Sequence, residues 1–556
     1  MTGARIVIET LIEQKCDTVF GYPGGQVLNI FDELYLNSSR ITHIITAHEQ
    51  GASHAADGYA SASGKPGVLI ATSGPGATNI VTGLATAYLD SVPLVAITGN
   101  VPCPLLGRDS FQEVNIVDIT RTVTKQNWIV KDVHLLADTI REAFRTAISG
   151  RPGPVLIDIP KDVQIAECDY TPQSPVAPNP IKTASDNIIN EAADLINTSQ
   201  QPYLYFGGGI LSSHASEEML ALTKKIDAPL GCSLMGLSAI PTDTPLFLGM
   251  QGMHGHYASS KAEDDADLVI AVGVRFSDRA TGNKERFRKN FRIIHIDTDR
   301  KELNKNIPAD IAILGDVKDT LIRLNNKIQQ KNHPQWIAHI RQLVEKEQRI
   351  TAASMNDTPA EWLNPYRIID IVQKHDQDSS IATDVGQHQM WTAQRYPFSR
   401  QRQFLTSGGL GTMGYGMGAS IGASKATGKR SVLFTGDGSF GMNLNELATA
   451  VSQNIPLVIV IMNNGVLGMV RQWQTLFYNA HYSNTTLNRQ TDFVKTAEAF
   501  GAKGVRLSTE EELDKACQEA FSHNGPFLID CAVNCDEFVL PMLPPGGSID
   551  DMITEI

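Results

Sequence analysis

The stretch Val432-Leu433-Phe434-Thr435-Gly436-Asp437-Gly438-Ser439, read with Leu457-Val458-Ile459-Val460-Ile461-Met462-Asn463-Asn464, decides the fold. Each is an apolar run of strand formers that stops on a polar, turn-forming pair. The two motifs are separated by 24 residues, of which 444–453 pattern as a helix. Strand, helix and strand make one βαβ unit, and its right-handed crossover sets Asp437 and Asn464 side by side at the carboxyl ends of adjacent parallel strands. Open α/β sheets bind ligands there. One carboxylate and one amide oxygen suit Mg²⁺, which takes its other oxygen ligands from water and a diphosphate. Gly436 and Gly438 let phosphate oxygens come close to the backbone, and the following helix offers its first amides. Asp-Gly and Asn-Gly are also strong turn formers, so either motif alone reads as a turn. Their placement on consecutive strand ends makes them a metal and diphosphate site.

Working outward, 556 residues with 42% apolar and 19% charged side chains suffice for three domains with full cores. A net charge of −13 argues against nonspecific nucleic-acid binding and against docking on an anionic membrane. The seven cysteines are scattered and form no CxxC, so neither a disulfide framework nor a zinc site is indicated. A reducing, cytoplasmic setting fits. Glu9 interrupts any signal-like run and no apolar stretch approaches 18 residues, so the expectation is a soluble, unexported protein. Polar stretches at 164–186 and 325–365 read as linkers and divide the chain into α/β blocks at 1–165, 185–325 and 365–556, each expected to be a doubly wound parallel sheet. The first and third blocks share a pattern of small-residue helix, Gly-Lys step, strand and glycine-rich turn: compare GASHAADGYASASGKPGVLIATSGPGATN (51–79) with GYGMGASIGASKATGKRSVLFTGDGSFGMN (414–443). This reads as an internal repeat.

The GDG…NN pair resembles the thiamine diphosphate signature of the family that includes pyruvate decarboxylases, pyruvate oxidases and acetohydroxyacid synthases. The resemblance implies Asp437, Asn464 and the backbone oxygen of Val466 as Mg²⁺ ligands, with Gly438 and Ser439 at the diphosphate. Two similar blocks suit the two ends of one elongated cofactor, which leaves the aminopyrimidine to the first. There a strand at 42–46 leads into Ala47-His48-Glu49-Gln50-Gly51. Thiamine chemistry needs a carboxylic acid at N1′ of the aminopyrimidine, so that the 4′-imino form can remove the C2 proton. Taken alone, Glu49 reads more readily as a solvated first-turn acid than as a catalytic one. Within AHEQGASHAADGYA (47–60), and with GYPGG (21–25) upstream, it resembles the family's catalytic glutamate. The loop 107–113 is similar to one that supplies Phe111 and Gln112 to the acetohydroxyacid synthase site, the plain alternative being a surface loop. Lys161 matches a lysine at the family's active-site entrance, or is a solvated residue after a strand. The glycine-rich turn 73–79 is not a P-loop, because no GK[ST] follows.

The middle block has no GxGxxG, so an NAD-type site is unsupported. Its strand ends do carry polar groups. Asp297 suits ribose hydroxyls, and Arg275 and Arg279 suit a diphosphate. The segments FGGGI (206–210), SLMG (233–236), LGMQGMHG (248–255), GVRFSDR (273–279), HIDTD (295–299) and GDVK (315–318) follow the order of the acetohydroxyacid synthase flavin domain. That resemblance implies FAD at Gly207, Gly208, Gly209, Ser233, Leu234, Met235, Met253 and His254. Further along it adds Gly273, Val274, Arg275, Arg279, Asp297, Thr298, Glu302, Asp316 and Val317, with Arg151 from the first block. Ser277 stands where the family has aspartate, and Arg279 is divided between flavin and the second keto acid.

In the third block, Val385, Gly386, Gln387 and His388 resemble the segment at the diphosphate and thiazolium. Gly411 and Met413 match the wedge that bends thiamine diphosphate into a V. Leu467-Gly468-Met469-Val470-Arg471-Gln472-Trp473 carries the tryptophan that shapes the second-substrate pocket of biosynthetic members, and 540–547 resembles a segment folding over the site.

The chain is thus identified as a member of the acetohydroxyacid synthase family, catalytic-subunit type. Membership implies decarboxylation of pyruvate and ligation of the two-carbon unit to a second pyruvate, giving 2-acetolactate, or to 2-ketobutyrate, giving 2-aceto-2-hydroxybutyrate. This is the first common step of branched-chain amino acid synthesis. It implies thiamine diphosphate, Mg²⁺ and a structural FAD, and a homodimer or homotetramer whose site joins the first block of one chain to the third of another. A small regulatory subunit stays open. The alternatives are a flavin-dependent pyruvate oxidase, against which Trp473 and RFSDR weigh, and a non-catalytic paralogue, against which the presence of Glu49, Asp437 and Asn464 weighs.

Overall fold

The computed structural model describes residues 1–287, 291–356 and 358–555. Among them, eighteen strands form three six-stranded sheets in which every pairing is parallel. The first comprises β1 (Thr18–Gly21), β2 (Thr42–Ile45), β3 (Gly67–Ala71), β4 (Leu94–Asn100), β5 (Gln126–Ile129) and β6 (Val155–Pro160). The second comprises β7 (Pro202–Phe206), β8 (Leu230–Cys232), β9 (Phe247–Met250), β10 (Leu268–Val272), β11 (Arg292–Asp297) and β12 (Ile311–Leu314). The third comprises β13 (Ser380–Thr383), β14 (Phe404–Leu405), β15 (Ser431–Gly436), β16 (Leu457–Asn463), β17 (Lys503–Leu507) and β18 (Phe527–Ala532). The central strands are buried along their whole length, β3, β4, β6, β10 and β15 among them, which is why they read as unbroken apolar runs.

The strand orders settle the repeat. The first sheet runs β2-β1-β3-β4-β6-β5 and the third runs β14-β13-β15-β16-β18-β17, the same permutation twelve strands later. The small residues of the repeat are where the two copies meet. A Cβ on Gly58 would lie 2.1 Å from the Ala419 carbonyl oxygen, and one on Gly422 would lie 1.8 Å from that of Ala55, so the helices Glu49–Ser63 and Tyr415–Thr427 touch backbone to backbone.

Two local readings differ from the structure. The helix expected at 444–453 begins instead at Asp437, runs Asp437–Asn443, tightens into a 3₁₀ turn at Leu444–Glu446 and resumes as Leu447–Ser452. Within the 325–365 stretch lies a helix, Pro334–Asn356, that packs on the middle sheet. It buries Trp336, Ile340 and Leu343, and the Trp336 indole donates to the Pro202 carbonyl at 3.0 Å. Its polar composition hid a narrow apolar stripe at i, i+4 and i+7.

Candidate active site

The register Gly436↔Met462 between β15 and β16 brings Asp437 and Asn464 to neighbouring strand ends. Asp437 opens the helix Asp437–Asn443 and is only 6% exposed. Burial pushes its carboxyl up to about 6, and it forms no ion pair among the described residues. A buried acid without a counter-charge is a place for a cation. The Asn464 amide donates to Gln387 Oε1 at 3.2 Å, while its oxygen turns back to the Val466 amide at 3.2 Å. Gln387 in turn donates to Gln472 Oε1 at 3.1 Å and to the Glu537 carbonyl at 2.7 Å. Gln472 donates on to the Val539 carbonyl, so a buried amide chain ties Asn464 to the C-terminal segment. Gly438 keeps space open beside Leu467 and Met413, whose side chains lie 2.8 and 3.9 Å from where its Cβ would stand. His388 is buried with Nε2 unpartnered among the described residues, and burial holds its ring far below the usual imidazole range, at about 3.

These residues form one end of a cavity of about 1430 Å³ that runs into the middle unit. That is more than a single drug-sized ligand fills. Every third-block residue singled out from sequence lines it: Val385, Gly386, Gln387, His388, Gly411, Met413, Asp437, Gly438, Ser439, Asn464, Val466, Leu467, Gly468, Met469 and Trp473. So do the middle-block candidates, with the exceptions of Gly207 and Asp316. Gly207 serves close packing, since its Cβ would meet the Gly273 carbonyl oxygen at 2.4 Å. Asp316 caps the helix Val317–Lys327, accepting from the Asp319 amide at 2.8 Å.

The middle-unit end of the cavity is lined by polar and charged groups. Half-buried Arg275 forms no ion pair among the described residues, and Thr298 Oγ1 and His254 Nδ1 are buried without a partner. Burial raises Asp297 to about 6. Arg151 reaches in from the first unit to pair with Glu302 at 2.7 Å, and Asp90 accepts from the Gly408 and Gly409 amides at 3.1 and 2.6 Å. At the junction of the two ends, the Arg279 guanidinium lies 5.4 Å from the Trp473 ring centre, a cation–π contact. The C-terminal segment is tied across this junction by a bond from the Leu543 amide to the Met253 carbonyl at 2.7 Å.

Glu49, Phe111, Gln112 and Lys161 do not line this cavity; they gather at the carboxyl end of the first sheet. Asn79 donates to Glu49 Oε2 at 2.9 Å, and a Cβ on Gly76 would stand 3.2 Å from Oε1. The turn 73–79 is therefore the platform beneath Glu49. Gln112 rests on the same turn, at 3.0 Å from the Cβ position of Gly74. The 107–113 loop is wound around Glu113, whose carboxylate accepts from the Gly107, Arg108 and Ser110 amides, and it holds Phe111 85% exposed. Lys161 Nζ donates to the Gly25 carbonyl at 3.2 Å. Asn79, Glu446 and Gln472 went unnoticed in sequence because each acts by reaching a residue distant in the chain.

Two sheets of one strand order, with a buried acid at a strand end of one and a half-buried carboxylate at a strand end of the other, are the arrangement expected of a thiamine pyrophosphate enzyme. Family models agree: the N-terminal TPP binding domain matches residues 1–119, the central domain 189–324 and the C-terminal TPP binding domain 384–531. Among relatives, the acetolactate synthase isozyme 2 large subunit of Escherichia coli is 42% identical over the whole of both chains. The probable acetolactate synthase large subunit of Methanocaldococcus jannaschii is 42% identical across all of this chain and 96% of its own. The mitochondrial acetolactate synthase catalytic subunit of Saccharomyces cerevisiae is 42% identical over all of this chain and 84% of its own. The chain belongs to the acetolactate synthase large-subunit family of thiamine pyrophosphate enzymes.

Proposed function

We propose that the protein condenses pyruvate with a second 2-keto acid, pyruvate or 2-ketobutyrate, releasing CO₂ and forming 2-acetolactate or 2-aceto-2-hydroxybutyrate. The observation that carries this reading is one cavity with the Asp437–Asn464 cradle at one end and the Arg279–Trp473 pair beside it. Asp437, Asn464 and the Val466 carbonyl would hold Mg²⁺, and the unpaired carboxylate and open backbone at Gly438 fit that ion with a diphosphate. Bound thiamine diphosphate supplies the electron sink that decarboxylation of a 2-keto acid requires. Glu49, fixed by Asn79, holds a proton toward the cofactor's ring nitrogen. Gln112 would donate to the developing oxyanion, with Phe111 beside it on the same loop. Arg279 orients the second keto acid's carboxylate against the Trp473 ring, which sets the room left for its alkyl group.

FAD fits the middle-unit end, where Arg275, Thr298 and His254 present groups without partners. No redox step is asked of it, because neither product requires net oxidation. Since this chain's Glu49 lies outside its own cavity, the complete site joins the first unit of one protomer to the third of another, in a homodimer or homotetramer. The relatives are named large or catalytic subunits, which supports a small regulatory partner. Among the described residues no helix is long and apolar enough to cross a membrane, and a cytoplasmic location is proposed with the rest.

The test is product analysis of purified protein given pyruvate and 2-ketobutyrate with thiamine diphosphate, Mg²⁺ and FAD in air. Mostly 2-aceto-2-hydroxybutyrate with some acetolactate is expected. Acetate with peroxide would make it an oxidase and overturn the reading.

A further inference from the structure

Glu446 ends the 3₁₀ turn that follows the helix Asp437–Asn443, and its residue is fully buried. Its carboxylate leaves the third unit and enters the first unit of the same chain. Oε1 accepts from the His48 amide at 3.0 Å, Oε2 accepts from the Ala47 amide at 3.2 Å, and the Thr449 hydroxyl donates to Oε2 at 2.6 Å. Ala47 and His48 are the corner from which Glu49 launches the helix Glu49–Ser63. Gly51 leaves room for this approach, since a Cβ there would stand 1.9 Å from Glu446 Oε1. Glu446 forms no ion pair among the described residues, so its three hydrogen bonds chiefly offset the cost of burying it.

We propose that Glu446 is a positioning residue for Glu49, fixing the backbone corner that aims the Glu49 carboxyl. The inference rests on Glu49 being the acid of the proposed reaction. Asn79 and Gly76 bound the side chain, and the Thr46 hydroxyl and the Ala52 amide each donate to the His48 carbonyl at 3.0 Å, while Glu446 takes the two amides of the corner, those of Ala47 and His48. A misplacement on the order of 1 Å costs an acid–base group up to about 100-fold in rate.

The test sets Glu446→Gln and Gly51→Ala beside Glu49→Gln. The glutamine keeps the volume of Glu446 but turns an amide toward one backbone N–H, so one of the two corner bonds is lost. Gly51→Ala leaves Glu446 in the sequence and pushes its carboxylate aside. Both should lower kcat roughly 10- to 100-fold with the KM for pyruvate within about twofold. Both should speed amide hydrogen exchange locally, in the peptide spanning 46–52, in cofactor-free protein of unchanged melting temperature. Glu49→Gln turning over normally would overturn the reading of Glu49 itself. If Glu49→Gln is impaired, two results would overturn the positioning role alone: parental kcat and exchange in both other variants, or exchange raised throughout the third unit.

Discussion

Gly468→Ala should uncouple the cofactor cradle while sparing the fold. The added Cβ would stand 1.9 Å from Gln387 Oε1 and 2.7 Å from Asn464 Nδ2. Gln387 must retreat by about 1.5 Å to regain ordinary contact distance. It cannot do so freely, because its amide is bonded to the Glu537 carbonyl at 2.7 Å and to Gln472 at 3.1 Å. Asn464, bonded to Gln387 at 3.2 Å, moves with it. Losing one or two buried hydrogen bonds costs about 1–2 kcal/mol, and overpacking adds about 1–3 kcal/mol. With Asn464 as the proposed ligand, cofactor binding needs it in place, so about 2–4 kcal/mol of this should fall on the affinity, a loss on the order of 30- to 1000-fold. Quenching of intrinsic fluorescence as thiamine diphosphate is titrated at fixed Mg²⁺ measures it, with a melting curve as the folding control. Affinity within twofold of the parent would refute the argument that this amide chain sets the metal ligand.

Trp473→Leu removes the ring under Arg279 and should lower the preference for 2-ketobutyrate with less effect on total turnover; an unchanged product ratio in competition would refute it. Arg275→Met removes the half-buried guanidinium, which has no ion-pair partner among the described residues and as a charge-assisted donor is worth about 1.5–3 kcal/mol to a diphosphate. Flavin retained after dialysis should fall accordingly, by roughly 10- to 100-fold in affinity, and full retention would move FAD elsewhere. Asp57 is buried with one oxygen unpartnered among the described residues, and burial raises it to about 7. Its neutral form is the one that suits the fold, so its contribution is whole below the unfolded carboxyl range and is lost as pH rises to 7. Asp57→Asn should therefore gain stability over the parent between pH 4 and 7 and hold that gain above, and a melting-temperature difference constant with pH would count against it.

Much of this was legible because strand ends are written locally. A buried parallel strand needs an unbroken apolar run, and the chain must turn as soon as that run ends, so Asp437 and Asn464 announced themselves. The repeat was equally plain, since backbone contact between the helices Glu49–Ser63 and Tyr415–Thr427 demands small residues on both. The helix Pro334–Asn356 was not, because four buried side chains, Trp336, Ile337, Ile340 and Leu343, among polar neighbours give a weak periodicity. The start of the helix at Asp437 was hidden by glycines that score as turn. Glu446, Asn79 and Gln472 carry no local mark at all, because their partners lie 398, 30 and 67 residues away.

The separation of Glu49 from the cavity of its own chain has a genetic consequence. In the dimer proposed above, a chain crippled at Glu49 and a chain crippled at Asp437 would each be inactive as homodimers, yet a mixed dimer would rebuild one intact centre from the sound halves and concentrate both lesions in the other. Co-expressed in equal amounts and paired at random, such alleles should recover about a quarter of the parental activity. Two null alleles of one gene would then complement each other in a cell that neither supports alone.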